Sequence, residues 1–379
     1  MGLWLGFACL LMLLFTTLQL PLILRKKKIM NFLKWPHIGN PKACVFLTFL
    51  LLPVLITFSP AKAEGTLNLV KKRNVLICGV TQGLPGFSAP DDKGRWHGLD
   101  ADFCRAVAVA ILGDAEAIKF VPLSAKVRFT ALQSGEIDLL ARNTTWTMHR
   151  DTALGIQFIG ANYYDGQGFI VRKDIGVTRL SELDGASICA NAGTTTELNV
   201  ADYFRSNEME YDISSFEKSE EAVAAYDAGR CDAYTTDQSG LYAQRQRLIE
   251  PDAHIILNEV ISKEPLSPAV RQGDEVWADV VRWVHYAMLN AEEFSVNSQN
   301  VDQMKESPNP SIRRLLGIEG SFGESLGLDN DWATRIIRKV GNYSESFNRN
   351  LGAGSELKIE RGLNALWTDG GLQFAPPIR

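Results

Sequence analysis

The residues best suited to holding a small charged molecule fall in one stretch, Asn143-Thr-Thr-Trp-Thr-Met-His-Arg150. Hydroxyls, free backbone N–H groups and one guanidinium at the end of a strand form a receptor for a carboxylate. Arg150 is expected to grip the carboxylate of a small zwitterion. Such a molecule needs an opposite pole too, and Asp237, closing Ala233-Tyr-Thr-Thr-Asp237, offers a carboxylate for an ammonium group. Thr145 and the pair Thr194-Thr195, at helix starts facing the same cleft, complete the expected carboxylate cage. A surface Arg or a capping Asp is commonplace, each worth about 1 kcal/mol. What favours a shared site is that both stand at matching strand ends.

These residues depend on the elements before them. Gly135-Glu-Ile-Asp-Leu-Leu-Ala141 reads as a turn and a short apolar strand beginning at Ile137, suited to a sheet covered on both faces. Thr147 is the expected N-cap of the next helix, with Arg150 on its first turn. In open α/β sheets, ligands bind beyond the carboxyl ends of the strands. Upstream, Asn74–Val80 and Ile118–Val121 read as strands. Asp100 is expected to cap a helix with Phe103, Val107 and Ile111 on its apolar face and Gly113 as its stop, and Val127–Ser134 is a short helix. From Leu183 a related series follows: strand Ala186–Ala190, a helix opened by a Thr194–Glu197 capping box, strand Tyr211–Phe216, helix Ser219–Ala228, and the turn and strand Gly229–Tyr234. The alternation predicts two α/β lobes, each a sheet flanked by helices. Asn162–Phe169 and Leu257–Lys263 are the expected crossings, a two-strand hinge about which the lobes rotate. The division is then 64–165 for the first part of lobe I, 166–257 for lobe II, 258–300 for the return to lobe I, and 301–379 for a helical and loop-rich extension packing on lobe I.

The chain has 379 residues and a net charge of −5, but residues 1–63 hold seven Lys/Arg and no acid. That leaves 32 basic against 44 acidic residues in the body, a poor surface for nucleic acid, where phosphate neutralisation dominates affinity. The run Ala43–Phe58, with Lys34 and Lys42 before it and Ser59-Pro-Ala-Lys-Ala63 after it, has the layout of a cleaved secretory signal, with Met30 as its expected start and Glu64 as the first mature residue. The competing reading is a membrane span over Leu3–Leu24, which is long enough to cross. Export makes Cys78 with Cys104, and Cys189 with Cys231, candidate disulfides within their own lobes; buried free thiols are the alternative. There is no C-x-x-C pattern and the His are scattered, so no metal or other cofactor is expected.

The phrases Arg142-Asn-Thr-Thr-Trp-Thr147, Tyr164-Asp-Gly-Gln-Gly168, Gly193-Thr-Thr-Thr-Glu-Leu198, Gly229-Arg-Cys-Asp-Ala-Tyr-Thr-Thr-Asp237 and Ser262-Lys-Glu-Pro-Leu266 carry a resemblance. From about Val75 to the C-terminus the chain resembles the periplasmic solute-binding proteins of amino-acid ABC transporters (type II fold, family 3), specifically the general L-amino-acid-binding subfamily. The resemblance implies Arg150 on the α-carboxylate, Asp237 on the α-ammonium, Thr145 and Thr195 as donors, and Asn143 in the same shell. It implies a monomer in the periplasm, delivering ligand to permease subunits and their ATPase by hinge closure. Many relatives for single amino acids have a small Ser or Thr where this chain has Arg142, so polar, acidic and amide side chains are the expected preference. Pairing of Arg142 with Asp138 or another acid, away from the ligand, is the blander reading. Leu84 and Phe87 stand near the expected apolar wall, and Trp146 either stacks on ligand or fills the core. Two rivals remain. A cyclic amino-acid dehydratase on this scaffold would need a general acid or base in the cleft, where His97 and His149 are the nearby imidazoles. A sensory domain would need a membrane span and a signalling module.

Overall fold

Two five-stranded sheets of the same layout carry the fold of the computed structural model, which describes residues 64–379. The expected signal segment with its Met30 start and the run Leu3–Leu24 lie outside the described residues. In the first lobe, β1 (Leu76–Val80) is followed by a small hairpin of β2 (Ala89–Pro90) and β3 (Trp96–His97), then by β4 (Ile118–Pro122), β5 (Leu139–Leu140) and β6 (Ile156–Phe158). β4, β1 and β5 run parallel. A hinge strand, β7 (Tyr163–Asp165), leads to the second lobe. That lobe contains β8 (Gln167–Arg172), β9 (Ala186–Asn191), β10 (Tyr211–Phe216), β11 (Ala233–Asp237) and β12 (His254–Ile256). β10, β9 and β11 are again parallel, and β8 and β12 extend the sheet with antiparallel pairs. The chain returns through β13 (Glu264–Leu266), and β14 (Ala269–Arg271) joins the first sheet between β5 and β6 as an antiparallel strand.

The cores follow from the apolar runs. β1 is nearly all buried, and behind it the helix Leu99–Leu112 buries Phe103, Val107 and Ile111 and stops at Gly113, where φ is 72°. That left-handed conformation is one that glycine adopts without strain. The helix starts earlier than expected, with Gly98 as its N-cap. Asp100 is thus inside the first turn, and its carboxylate instead accepts Asn143 N–H at 2.8 Å and Asn162 Nδ2 at 3.2 Å. Disulfides join Cys78 on β1 to Cys104 on the helix Leu99–Leu112, and Cys189 on β9 to Cys231 in the turn ahead of β11.

β7 and β13 form a two-stranded ribbon in register Tyr164↔Pro265. The second crossing therefore comes later than Leu257–Lys263. That stretch stays with lobe II, since Leu257 N–H donates to Phe169 O at 2.9 Å and Ile261 N–H to Gln167 O at 3.0 Å. The helix Glu275–Glu293 and the extension helix Trp332–Lys339 bury Val280, Val284, Trp332 and Ile336 in the core that holds Phe103 and Val107. Arg335 and Lys339 also donate to the last carbonyls of Leu99–Leu112, at Ala110 (3.1 Å) and Gly113 (2.6 Å), where the helix leaves acceptors free.

Candidate functional site

A cavity of about 330 Å³ lies between the lobes, and the carboxyl ends of the parallel strands of both sheets open onto it. Thr81–Leu84 follow β1, Arg128 follows β4, and Arg142, Asn143 and Thr145 follow β5. From the other side come Asn191, Thr194 and Thr195 after β9, Lys218 and Ser219 after β10, and Asp237 at the end of β11. This is the crevice where open α/β sheets bind ligands.

The first wall is cationic. Arg128 is 3% exposed, its Nε has no partner, and Nη2 reaches only Gly193 O at 3.5 Å. Burial pulls its pKa well down, and the charges of Arg142 and Arg150 pull it further. Arg142 is lowered to about 10, chiefly by burial, with Asp100 and Asp237 opposing. Its Nε donates to Leu123 O at 3.0 Å, and it does not pair with Asp138, which bonds Arg73 instead. Asn143 adopts φ 33°, a left-handed turn that asparagine tolerates, held by Asp100 at its N–H. Its Nδ2 donates to Asp237 Oδ2 at 3.2 Å, and its Oδ1 is a buried acceptor with no partner.

The second wall is acidic and hydroxylic. Burial drives the Asp237 carboxyl well above the usual carboxylate range, and Asp165 and Glu264 push it the same way. Asp165 is raised to about 6, again mainly by burial. Thr195 Oγ1 lies 3.4 Å from Thr145 Oγ1 and donates to Glu264 Oε2 at 3.1 Å. Thr194 precedes the helix Thr195–Ser206, but the expected capping box is rearranged. Its hydroxyl donates to Asn191 O at 2.6 Å, and Glu197 accepts Gly193 N–H at 2.9 Å. Gly193, at φ 75°, lets the lobes approach closely: a Cβ there would come within 3.1 Å of Lys126. Arg247 closes the far side by donating to Gly83 O at 3.0 Å.

Several expected residues sit elsewhere. Thr147 caps its helix through Arg150 N–H, and Arg150 stands behind the lining residues. Its Nη1 donates to Thr145 O at 2.8 Å, and the guanidinium lies 5.3 Å over the Phe129 ring. Its Nε and Nη2 have no acceptor among the described residues. Asp237 and Glu264 both act on its charge, although burial prevails and lowers its pKa. Leu84 lines the cavity, but Phe87 does not. It is buried edge-on against Tyr163 at 5.2 Å. Trp146 leaves the cleft because its N–H is tied to Pro265 O at 2.8 Å. Its ring is 39% exposed, stacks on Phe158, and borders a second cavity behind the hinge. Neither His97 nor His149 lines the cleft. The sequence reading passed over Arg128, Asn191 and Gln244, whose Oε1 is a buried acceptor without a partner. Arg128 had a usable signal, since it follows a strand end just as Arg142 does.

The model of the bacterial extracellular solute-binding proteins, family 3, matches residues 76–302. The chain belongs to that family. It is 59% identical over 328 residues to the general L-amino acid-binding periplasmic protein AapJ of Rhizobium johnstonii, covering 86% of this chain and 96% of the relative. It is 51% identical over 320 residues to the glutamate/glutamine/aspartate/asparagine-binding protein BztA of Rhodobacter capsulatus, covering 84% and 95%. A periplasmic binding protein from Brucella ovis with glutathione bound superposes with a TM-score of 0.82 at 61% identity, covering 83% of this chain and all of that one. As a family member, this chain has the two-lobed type II fold that its paired sheets display.

Proposed function

We propose that this protein binds L-amino acids in the periplasm, closes its lobes around them and hands them to an ABC transporter permease. The observation that carries the reading is an interlobe cavity with acceptors for an ammonium on one side and cationic and hydroxyl donors for carboxylates on the other. Asp237 and the free Oδ1 of Asn143 are adjacent acceptors for an ammonium. Arg150, behind the lining with Nε and Nη2 free, and the hydroxyls of Thr145 and Thr195, once turned away from Glu264, are donors for the α-carboxylate, with Thr194 beside them at the helix start. Arg128 and Arg142 then face the ligand side chain, where an acidic group relieves the repulsion between guanidiniums. Gln244 Oε1 gives an acceptor for a side-chain amide. Glutamate, aspartate, glutamine and asparagine are the preferred ligands on this reading, the same four for which the Rhodobacter relative is named.

The volume of about 330 Å³ is at the small end of ligand pockets, which run from roughly 300 to 1,000 Å³. The Brucella structure favours a second reading, a small γ-glutamyl peptide such as glutathione, its glutamyl end on the same anchors and the remainder toward Gln82, Gly83 and Arg247. Both readings are binding without turnover, and neither needs a cofactor. Calorimetric titration with the twenty amino acids and glutathione tests them. Micromolar or tighter binding of the acidic and amide amino acids is expected, and amino-acid binding weaker than about 1 mM, some −4 kcal/mol, would remove the main reading. Chemical conversion of a bound amino acid, read by NMR, would replace delivery with catalysis.

A further inference from the structure

The carboxyl-terminal extension lies beyond the residues matched by the family, 76–302, yet it reaches the hinge. Asn364, ending the short turn Gly362–Asn364, is 4% exposed, and its side-chain amide takes both backbone groups of Tyr164. Its Oδ1 accepts Tyr164 N–H at 2.7 Å and its Nδ2 donates to Tyr164 O at 3.0 Å. Tyr164 is the middle residue of β7, and Pro265, opposite in the register, has no N–H to give. One side chain thereby stands in for a third strand on the free edge of the ribbon.

Asn364 is itself braced against the first lobe. Arg361 donates to Asn364 O through Nε at 3.0 Å and Nη2 at 2.8 Å, pairs with Glu292 at 3.0 Å, and lies 5.1 Å over Tyr343 and 4.9 Å over Phe347. Tyr343 hydroxyl donates to Asn162 O at 2.7 Å, and the Phe347 ring stacks on Tyr163. Residues 162, 163 and 164 of the first crossing are thus each held to lobe I by the extension. The next two belong to lobe II: Ser239 N–H donates to Asp165 Oδ2 at 3.3 Å, and Gln238 N–H to Gly166 O at 2.8 Å. The attachment changes lobe between Tyr164 and Asp165. On the second crossing it changes at Glu264, which accepts from Ser262 and Asn199 of lobe II and from Thr145 of lobe I.

We infer that Asn364 is a positioning residue for cleft closure. By fixing Tyr164 to the first lobe it sets the pivot of the rotation and limits how far the empty cleft opens. Without it, the empty protein samples wider openings, and a ligand meets a smaller fraction of closure-competent molecules. The affinity and glutamate-bound arms of the test rest on the amino-acid reading, and the empty-protein arms do not.

The test compares the full mature chain with Asn364→Ala and with Arg361→Lys, which keeps the charge but loses the two-pronged grip on Asn364. Small-angle scattering with and without saturating L-glutamate, exchange of the Tyr164 amide, and calorimetric Kd are measured. Asn364→Ala should enlarge the radius of gyration of the empty protein while leaving the glutamate-bound value unchanged. It should also speed Tyr164 exchange by about tenfold or more and raise the glutamate Kd about three- to tenfold. Arg361→Lys should move each in the same direction by less, and decides the matter if Asn364→Ala does not fold. Variants that lower Tm but keep the wild-type empty-state dimensions and Kd would overturn the inference. If the wild type binds no amino acid, the proposed function fails, while scattering and exchange of the empty protein still decide the role of Asn364.

Discussion

The two walls of the cleft face the same space with opposite chemistry. Lobe I brings Arg128 and Arg142 to the cavity with Arg150 just behind, all buried enough that their pKa values fall. Lobe II brings Asp237, with Asp165 and Glu264 near it at the hinge, and there burial raises the acid. The buried charges of each wall are thus poorly solvated and of one sign, with Lys218 and Arg247 at the rim of the second. The two meet through thin contacts, such as Asn143 to Asp237 at 3.2 Å and Arg128 to Gly193 at 3.5 Å. The difference teaches why binding and closure are coupled in this account: a zwitterion relieves both walls at once, and neither lobe alone can satisfy both poles.

That comparison can be broken in graded steps. Asp237→Asn neutralises the second wall and should raise the glutamate Kd about 100-fold or more, since removing one charge of a buried pair costs about 2–5 kcal/mol. A calorimetric change below about threefold would put the ammonium elsewhere. Arg128→Met thins the first wall where the ligand side chain is placed. It should weaken glutamate by about 30-fold, near 2 kcal/mol, and alanine hardly at all; equal losses would assign Arg128 to the backbone of the ligand.

Acidity probes the second wall alone. The empty protein holds a proton on Asp237 up to a raised pKa, and an ammonium partner favours the carboxylate, so binding expels that proton. Affinity should therefore fall as pH drops below the raised value, by up to about tenfold per pH unit. Titration at a pH below that raised value, in buffers of different ionisation enthalpy, should show proton release, absent in Asp237→Asn. The smallest effect on affinity is expected from the disulfides, which lie outside the cavity lining. Replacing Cys189 and Cys231 by Ser should cost about 2–4 kcal/mol of stability by denaturant unfolding. Glutamate Kd should stay within about twofold of wild type.

The repeated strand–helix alternation carried the architecture: Leu76–Val80 and Ala186–Asn191 are largely buried parallel strands, with the partly exposed Ile118–Pro122 and Tyr211–Phe216 paired beside them. The three-residue strands Ile156–Phe158 and Ala269–Arg271 were not legible, since pairing rather than periodicity makes them strands. Strand-end position found Asn143, Thr145, Thr194, Thr195 and Asp237 in the lining. Arg128 escaped because an Arg opening a short helix normally faces solvent, whereas this one is buried and lines the cavity between the lobes. Phe87 and Trp146 show the converse: aromatic character gives burial tendency, but the backbone around Tyr163 and Pro265 decides which cavity each ring meets. Asn364 bonds a residue 200 positions away, and no local pattern announces that.

The central claim is that Asp237 holds the ammonium of a ligand whose carboxylates lie on the arginine wall. The most direct measurement is the affinity of L-glutamate relative to glutarate, which lacks only the ammonium, for wild type and for Asp237→Ala. The account predicts that the wild type prefers glutamate by about 100-fold or more and that the variant loses most of that preference. A variant that still discriminates as strongly as the wild type would contradict it.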